Sequence, residues 1–280
     1  PYGYRLTLAH NLAAIVAELH AQNHHIIDLK PVNCRFYTDS MTLALLDCDG
    51  FSINSKSKRY TAGQFTSEYI APEAKGKKPG DLGIQQDQFA LAIIIFRLLN
   101  NGLHPFQAKL SSGQSGGTLQ DMIEAGHYPY GIRSSAVCSA PMQSIHDTFP
   151  EDLRKAFDQS FLRTTRPTAA KWRDLLRQYA DKSTGKLIAC SKNPQNHAHF
   201  GLGCGWCVIE GLSASKTVVN RSKVGSNLNQ SLTTRSSMLL QKNNLASNLD
   251  LSGLSPLRSW WCVLLSIFLS ILLPIISAAL

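Results

Sequence analysis

The chain has 280 residues, of which 44% are apolar and 17% charged, and a net charge of +9. That length suits one large domain or two ordinary ones. The apolar share excludes a wholly disordered chain, and seven cysteines are too few for a disulfide scaffold. Residues 181–280 carry nine Lys and Arg against three acids, and the first 180 residues carry 19 against 16. The basic excess is dilute, with Ser and Asn between the charges. A nucleic-acid interface concentrates such charge in a stripe on a folded domain, so no nucleic-acid partner is expected. The chain opens at Pro1 with no basic-plus-apolar secretion signal.

Leu6, Leu8, Leu12, Ile15, Val16 and Leu19 recur at three- and four-residue steps and predict a helix over 4–23. A loop around Pro31 follows. Thr42 to Leu46 reads as a short buried strand before an acidic cluster, and the polar stretch 51–70 as a mobile surface loop. Gln88 to Leu99 is apolar almost all round. It is too short to cross a bilayer and contains Arg97, so it reads as a core helix. Two more helical stretches are expected at 118–126 and 151–180, the second broken at Pro167.

The character changes after Glu210. Residues 211–256 are rich in Ser, Asn, Leu and Lys and read as a flexible linker. Trp260 to Leu280 is a 21-residue run without a charge. As a helix it reaches about 32 Å, enough for a hydrocarbon core of about 30 Å. Trp260 and Trp261 fall where an interfacial aromatic belt belongs, with Arg258 just outside. A single-pass membrane helix is therefore expected over 257–280. The preceding Arg235, Lys242 and Arg258 would keep the rest of the chain cytoplasmic.

Five motifs in the first 180 residues stand in one order. Ile27-Asp28-Leu29-Lys30-Pro31-Val32-Asn33 comes first, and Leu46-Asp47-Cys48-Asp49-Gly50 follows with Asp47 fourteen residues after Asn33. Tyr69-Ile70-Ala71-Pro72-Glu73 is third. Asp87 at the head of the apolar helix, with His104-Pro105-Phe106 beyond it, is fourth, and Arg166-Pro167-Thr168 is last. In order and spacing the set resembles the catalytic loop, the D-F-G and A-P-E motifs, the long central helix and the closing arginine region of protein kinases. The resemblance covers about residues 4–178. The Asp-Cys-Asp variant and the Arg-Pro-Thr-Ala stretch ending at Trp172 are similar to a bacterial branch of kinase-like proteins.

The resemblance implies a mainly α, kinase-like large lobe over 1–180 and transfer of the ATP γ-phosphate to Ser or Thr of a protein substrate. Phosphoryl transfer is mostly positioning and charge neutralisation. Asp28 would hold the acceptor hydroxyl, and Lys30 would offset charge on the moving group. Asn33 and Asp47 would hold Mg²⁺ between the phosphates through hard oxygen ligands. Asp49 is the rival of Asp47, but Asp47 is nearer the strand end. Glu73 and Arg166 are expected to pair structurally, Asp87 to accept N–H bonds from the catalytic loop, and His20 and His104 to pack. Thr66 aligns with a threonine common in Ser/Thr-specific enzymes.

There are departures from the family. Ile26 and Ile27 stand where His-Arg is usual, and Cys48 and Asp49 replace the Phe and Gly of D-F-G. Only 27 residues precede Asp28, too few for the five strands of a small lobe, and no G-x-G-x-x-G occurs. The small lobe is therefore expected in a longer parent chain, and this chain alone is expected to be inactive. The competing expectations are a pseudokinase and a membrane-tethered zinc-binding signalling scaffold.

A second cluster lies at 181–210. Cys204-Gly205-Trp206-Cys207 is a C-x-x-C pair, and Cys190, His197 and His199 lie just upstream. Three cysteines and one histidine make a tetrahedral structural Zn²⁺ set. The four residues between His199 and Cys204 make an easy loop, so His199 is the expected histidine ligand.

Overall fold

A computed structural model describes residues 1–111, 117–133, 135–163 and 165–212. The linker expected over 211–256, apart from its first two residues, and the membrane helix expected over 257–280 lie outside the described residues. Among the described residues, no helix is long and apolar enough to cross a membrane.

The first helix, α1 (Tyr2–Ala21), buries Tyr2, Leu6, Ala9, Leu12, Ala13 and Val16. The buried stripe is shifted from the one the leucines suggest. Ala9 and Ala13 are fully buried, whereas Leu8, Ile15 and Leu19 are half-buried. The helix rests mainly on α5 (Ala169–Ala180), and small side chains let two helix backbones approach closely. Asn11 on α1 donates to the Met41 carbonyl at 2.8 Å. That bond holds the turn between β1 (Cys34–Tyr37) and β2 (Thr42–Leu45), which pair antiparallel from Cys34↔Leu45 to Tyr37↔Thr42.

The expected core helix is present and longer: α2 runs Ile84–Leu99 with twelve buried residues, including Gln86, Asp87 and Gln88. The region 51–70 is more ordered than a bare loop. It holds the antiparallel strands β3 (Ile53–Asn54) and β4 (Arg59–Tyr60), and Arg59 donates to the carbonyls of Ser52 and Asn23. Helix α3 (Leu119–Glu124) starts at a reciprocal cap between Thr118 and Asp121. A strand pair, β5 (Lys109–Leu110) with β6 (Cys138–Ser139), flanks it in sequence. The expected break near Pro167 separates α4 (Glu151–Leu162) from α5, and Thr168 caps α5 by accepting from the Lys171 N–H. Strands β7 (Ile188–Ala189) and β8 (Ala198–His199) form a last hairpin. The described residues are mainly helical with small two-stranded sheets, compatible with a kinase-like lobe.

The core behind α2 is aromatic. Phe96 meets Tyr130 at 4.8 Å and Phe157 at 5.0 Å, and Phe157 meets Trp172 at 4.9 Å. Fully buried His146 sits among these rings with neither ring nitrogen hydrogen-bonded. Burial, aided by the Arg154 charge, pulls its pKa down to about 3. His104 is lowered to about 3 by burial and Arg97. Its imidazole is nevertheless satisfied, accepting from the Phe106 N–H and donating to the Glu68 carbonyl.

Both histidines are neutral when folded and take up a proton near pH 6.5 when unfolded. Stability must therefore fall as pH drops through the window from about 6.5 to about 3. For His146 alone the loss between pH 7 and pH 5 is on the order of 2 kcal/mol. His146→Phe should keep the fold and flatten this slope, read as urea midpoints at the two pH values. An unchanged slope would show that His146 does not carry it.

Candidate functional site

The segment leading to Asp28 is held in an unfavourable backbone conformation. Ile27 has φ of 59°, a left-handed value that is a genuine outlier for a β-branched residue. Such strain persists only where the surroundings over-determine it. Here the buried Asp87 carboxylate does so, accepting from the Ile26 N–H and the Ile27 N–H, both at 2.7 Å. It also accepts from His20 Nε2 at 2.9 Å, which places the imidazole proton on that nitrogen. Gln86, one residue earlier on α2, reaches three groups. Its amide donates to the Tyr69 carbonyl at 2.8 Å and the Ile27 carbonyl at 3.4 Å, and its oxygen accepts from the Ala71 N–H at 3.0 Å. Two adjacent residues of one helix turn thus hold both the Asp28 loop and the Ala71-Pro72-Glu73 segment.

Asp28 itself is 2% exposed. Its Oδ2 accepts from Lys30 Nζ at 2.6 Å, and the same ammonium donates to Thr66 Oγ1 at 2.8 Å. Oδ1 has no hydrogen-bond partner. A buried carboxylate oxygen left open beside a cation is an acceptor waiting for a donor. Asn33 donates to the Asp28 carbonyl at 3.1 Å, which leaves its amide oxygen as the remaining acceptor. The Asn33 carbonyl accepts from the Leu46 N–H at 2.8 Å, so the segment that leads from β2 to Asp47 is tied to Asn33. Asp47 is exposed, with φ 57° and ψ 57°, a second left-handed non-glycine residue. Asp49, also exposed, lies in the turn that follows. Gly50 closes the arrangement, since a Cβ there would stand 3.1 Å from Asp28 Cβ.

Glu73 and Arg166 pair as expected. The guanidinium makes two bonds to the carboxylate, one of them 2.9 Å, and Nε donates to the Ser160 carbonyl at 3.0 Å. Its other face lies 4.9 Å from the centroid of the Phe89 ring. Burial alone would raise the Glu73 pKa, but the Arg166 hydrogen bonds hold it below the usual carboxylate range. This pair therefore stabilises above the ordinary carboxylate pKa and loses its contribution as pH falls through the lowered value.

The second cluster assembles with one change of residue. Ligand atoms of Cys190, His197, Cys204 and Cys207 lie within 4.8 Å of one another, and His199 is outside the group. The hairpin register gives the reason. Ala189 pairs with Ala198, and the Cys190 N–H donates to the His197 carbonyl at 3.1 Å, so Cys190 faces His197 across the end of the hairpin. His199 pairs with Ile188, about 7 Å further along. Its Nδ1 accepts from the Gly201 N–H instead. Asn193 and Lys192 backbone N–H groups face the Cys190 sulfur and hold its thiol below the ordinary pKa.

The segment also shares the lobe's core. Trp206 meets Tyr2 at 5.3 Å, the Arg5 guanidinium lies 4.9 Å from the Trp206 ring, and the Tyr2 N–H donates to the Asn196 carbonyl.

Two proteins named protein kinase YegI, from Escherichia coli O157:H7 and strain K12, are each 28% identical to this chain over 75% of its length. A calcium/calmodulin-dependent serine/threonine-protein kinase of Malus domestica is 34% identical over 42% of the chain. The chain spans about a third of the length of the Escherichia coli relatives. No family model matches. These relatives support a likeness to the protein kinase family.

The carboxylate of Asp87 should be the most costly polar group of the site to remove. Asp87→Ala leaves two buried N–H groups and a histidine unpaired, and should destabilise by about 2–5 kcal/mol. Urea unfolding measures it. A cost near that of an exposed Asp, such as Asp39→Ala, would show that the loop does not depend on it.

Proposed function

We propose that the chain carries the large lobe of a protein kinase that transfers the ATP γ-phosphate to Ser or Thr of a protein. The observation that carries this is Asp28: buried, one oxygen on Lys30 and the other unpartnered. A hydroxyl donating to the open oxygen would be held in line for transfer, and Asp28 would take its proton. Lys30, shared between Asp28 and Thr66, would offset the negative charge that develops on the moving group. Thr66 and Lys30 together favour a Ser or Thr acceptor.

The donor set fits a magnesium nucleotide. The Asn33 amide oxygen and the Asp47 carboxylate are hard ligands on segments tied by the Leu46 N–H bond. The bound Mg²⁺-ATP would supply the phosphoryl group and the charge neutralisation. Asp47 and Asn33 would hold its metal, and Ile26, Ile27 and Asp87 would keep Asp28 oriented. The Ile26-Ile27 pair in place of His-Arg favours a competing reading, a kinase-like scaffold without catalysis. In the full-length parent with Mg²⁺ and ATP, Asp28→Asn should lower turnover by about 10²- to 10⁴-fold while sparing nucleotide binding. Asp47→Asn should weaken metal-nucleotide binding. Activity untouched by Asp28→Asn would overturn the assignment.

The uncharged run Trp260–Leu280 supports a single-pass membrane anchor. The preceding Arg235, Lys242 and Arg258 support a cytoplasmic lobe. The full chain should stay in the membrane pellet through alkaline carbonate extraction. Its release would overturn the anchor.

A further inference from the structure

We infer that Cys190, His197, Cys204 and Cys207 form a closed, structural Zn²⁺ site in which His197 binds through Nδ1 and Glu210 orients it. The site lies apart from the Asp28 cluster, and the inference does not depend on phosphoryl transfer. Four ligand atoms within 4.8 Å of one another fit one tetrahedral ion with Zn–S near 2.3 Å and Zn–N near 2.0 Å. Cys190 and Cys207 sulfurs lie 3.5 Å apart, and Cys207 Sγ lies 3.6 Å from His197 Nδ1. Three thiols and an imidazole select a borderline-soft ion over Mg²⁺ or Ca²⁺, which take oxygen ligands.

The surroundings are those of a metal ligand set. His197 is 6% exposed, and its Nε2 lies 2.9 Å from Glu210 Oε1. A carboxylate can only accept, so the proton sits on Nε2 and the lone pair on Nδ1, the nitrogen that faces Cys207. This is the carboxylate–histidine arrangement that fixes a metal-bound imidazole and raises its basicity. Gly201 and Gly203, with φ of 87° and 94°, make the sharp turns before Cys204. Residues 205–212 are helical, so Cys207 and Glu210 stand three residues apart on one helical stretch.

The role is structural. Four protein ligands leave no open position for chemistry. The two-residue strands of the hairpin are too short to stand alone. A metal bond across residues 190–207 would fix the hairpin to the helical turn and seat Trp206 between Tyr2 and Arg5. Binding deprotonates the thiols, so uptake must release protons and weaken in acid.

The full 280-residue chain, purified in reducing, chelator-free buffer, should hold about one zinc per chain by elemental analysis. Less than about half an equivalent would overturn the site. Cys204→Ser and His197→Ala should lose the metal, and His199→Ala should keep it; zinc retained by His197→Ala would overturn the ligand assignment. If those variants do not fold, native thiol titration of the unaltered chain decides. Three thiols should react only after a chelator is added, and immediate reaction of all of them would reject the site. Glu210→Gln should fold, keep one zinc at saturation and bind it about 10- to 100-fold more weakly. Unchanged affinity would remove Glu210 from the site.

Discussion

The Asp87 carboxylate is the constraint on which the site rests. It accepts from two consecutive backbone N–H groups and from His20, and by doing so holds Ile27 in a conformation its side chain disfavours. Only a group buried in the first turn of the most deeply packed helix can do this, because a mobile acceptor would yield before the backbone did. Twelve residues of α2 are buried, so the carboxylate has no room to follow. The aromatic core behind α2 thereby bears on the orientation of Asp28, although none of its rings is part of the site.

A division of labour follows along one turn of helix. Asp87 fixes the approach to Asp28, and Gln86 holds that same loop to the Tyr69 and Ala71 backbone. Glu73, just beyond, is held from the other side by Arg166 in the segment between α4 and α5. Loops from three stretches of the chain are thus connected through two side chains of α2 and one ion pair. Each bond is buried or half-buried, where a hydrogen bond to a charged group is worth more than at the surface.

Much of this was legible in the sequence, for a physical reason. Asp28, Lys30, Thr66, Glu73, Asp87 and Arg166 belong to motifs whose order and spacing survive, and the contacts expected of Glu73, Asp87 and Arg166 are present. What the sequence did not show depends on pairing between distant segments. Gln86 resembles any polar residue at a helix start, and its partners lie 15 to 59 residues away. His197 and His199 differ only by strand register, which no loop-length argument supplies. The alanine face of α1 was hidden because leucines dominate an apolar count while alanines decide how closely helices meet. Strand β1 was missed because its burial alternates between half-buried and exposed and its apolar run is short.

Gly50 has a consequence for how sequence change can be tolerated. Its neighbours Cys48 and Asp49 are exposed and free to drift, but a methyl at position 50 would press on Asp28 at 3.1 Å. The strain is small enough to be relieved by moving the aspartate a few tenths of an ångström. Folding would hardly register such a shift, whereas a reaction that depends on alignment would. Position 50 therefore separates the two demands on this region: selection for a stable lobe would accept alanine there, and selection for in-line geometry would not.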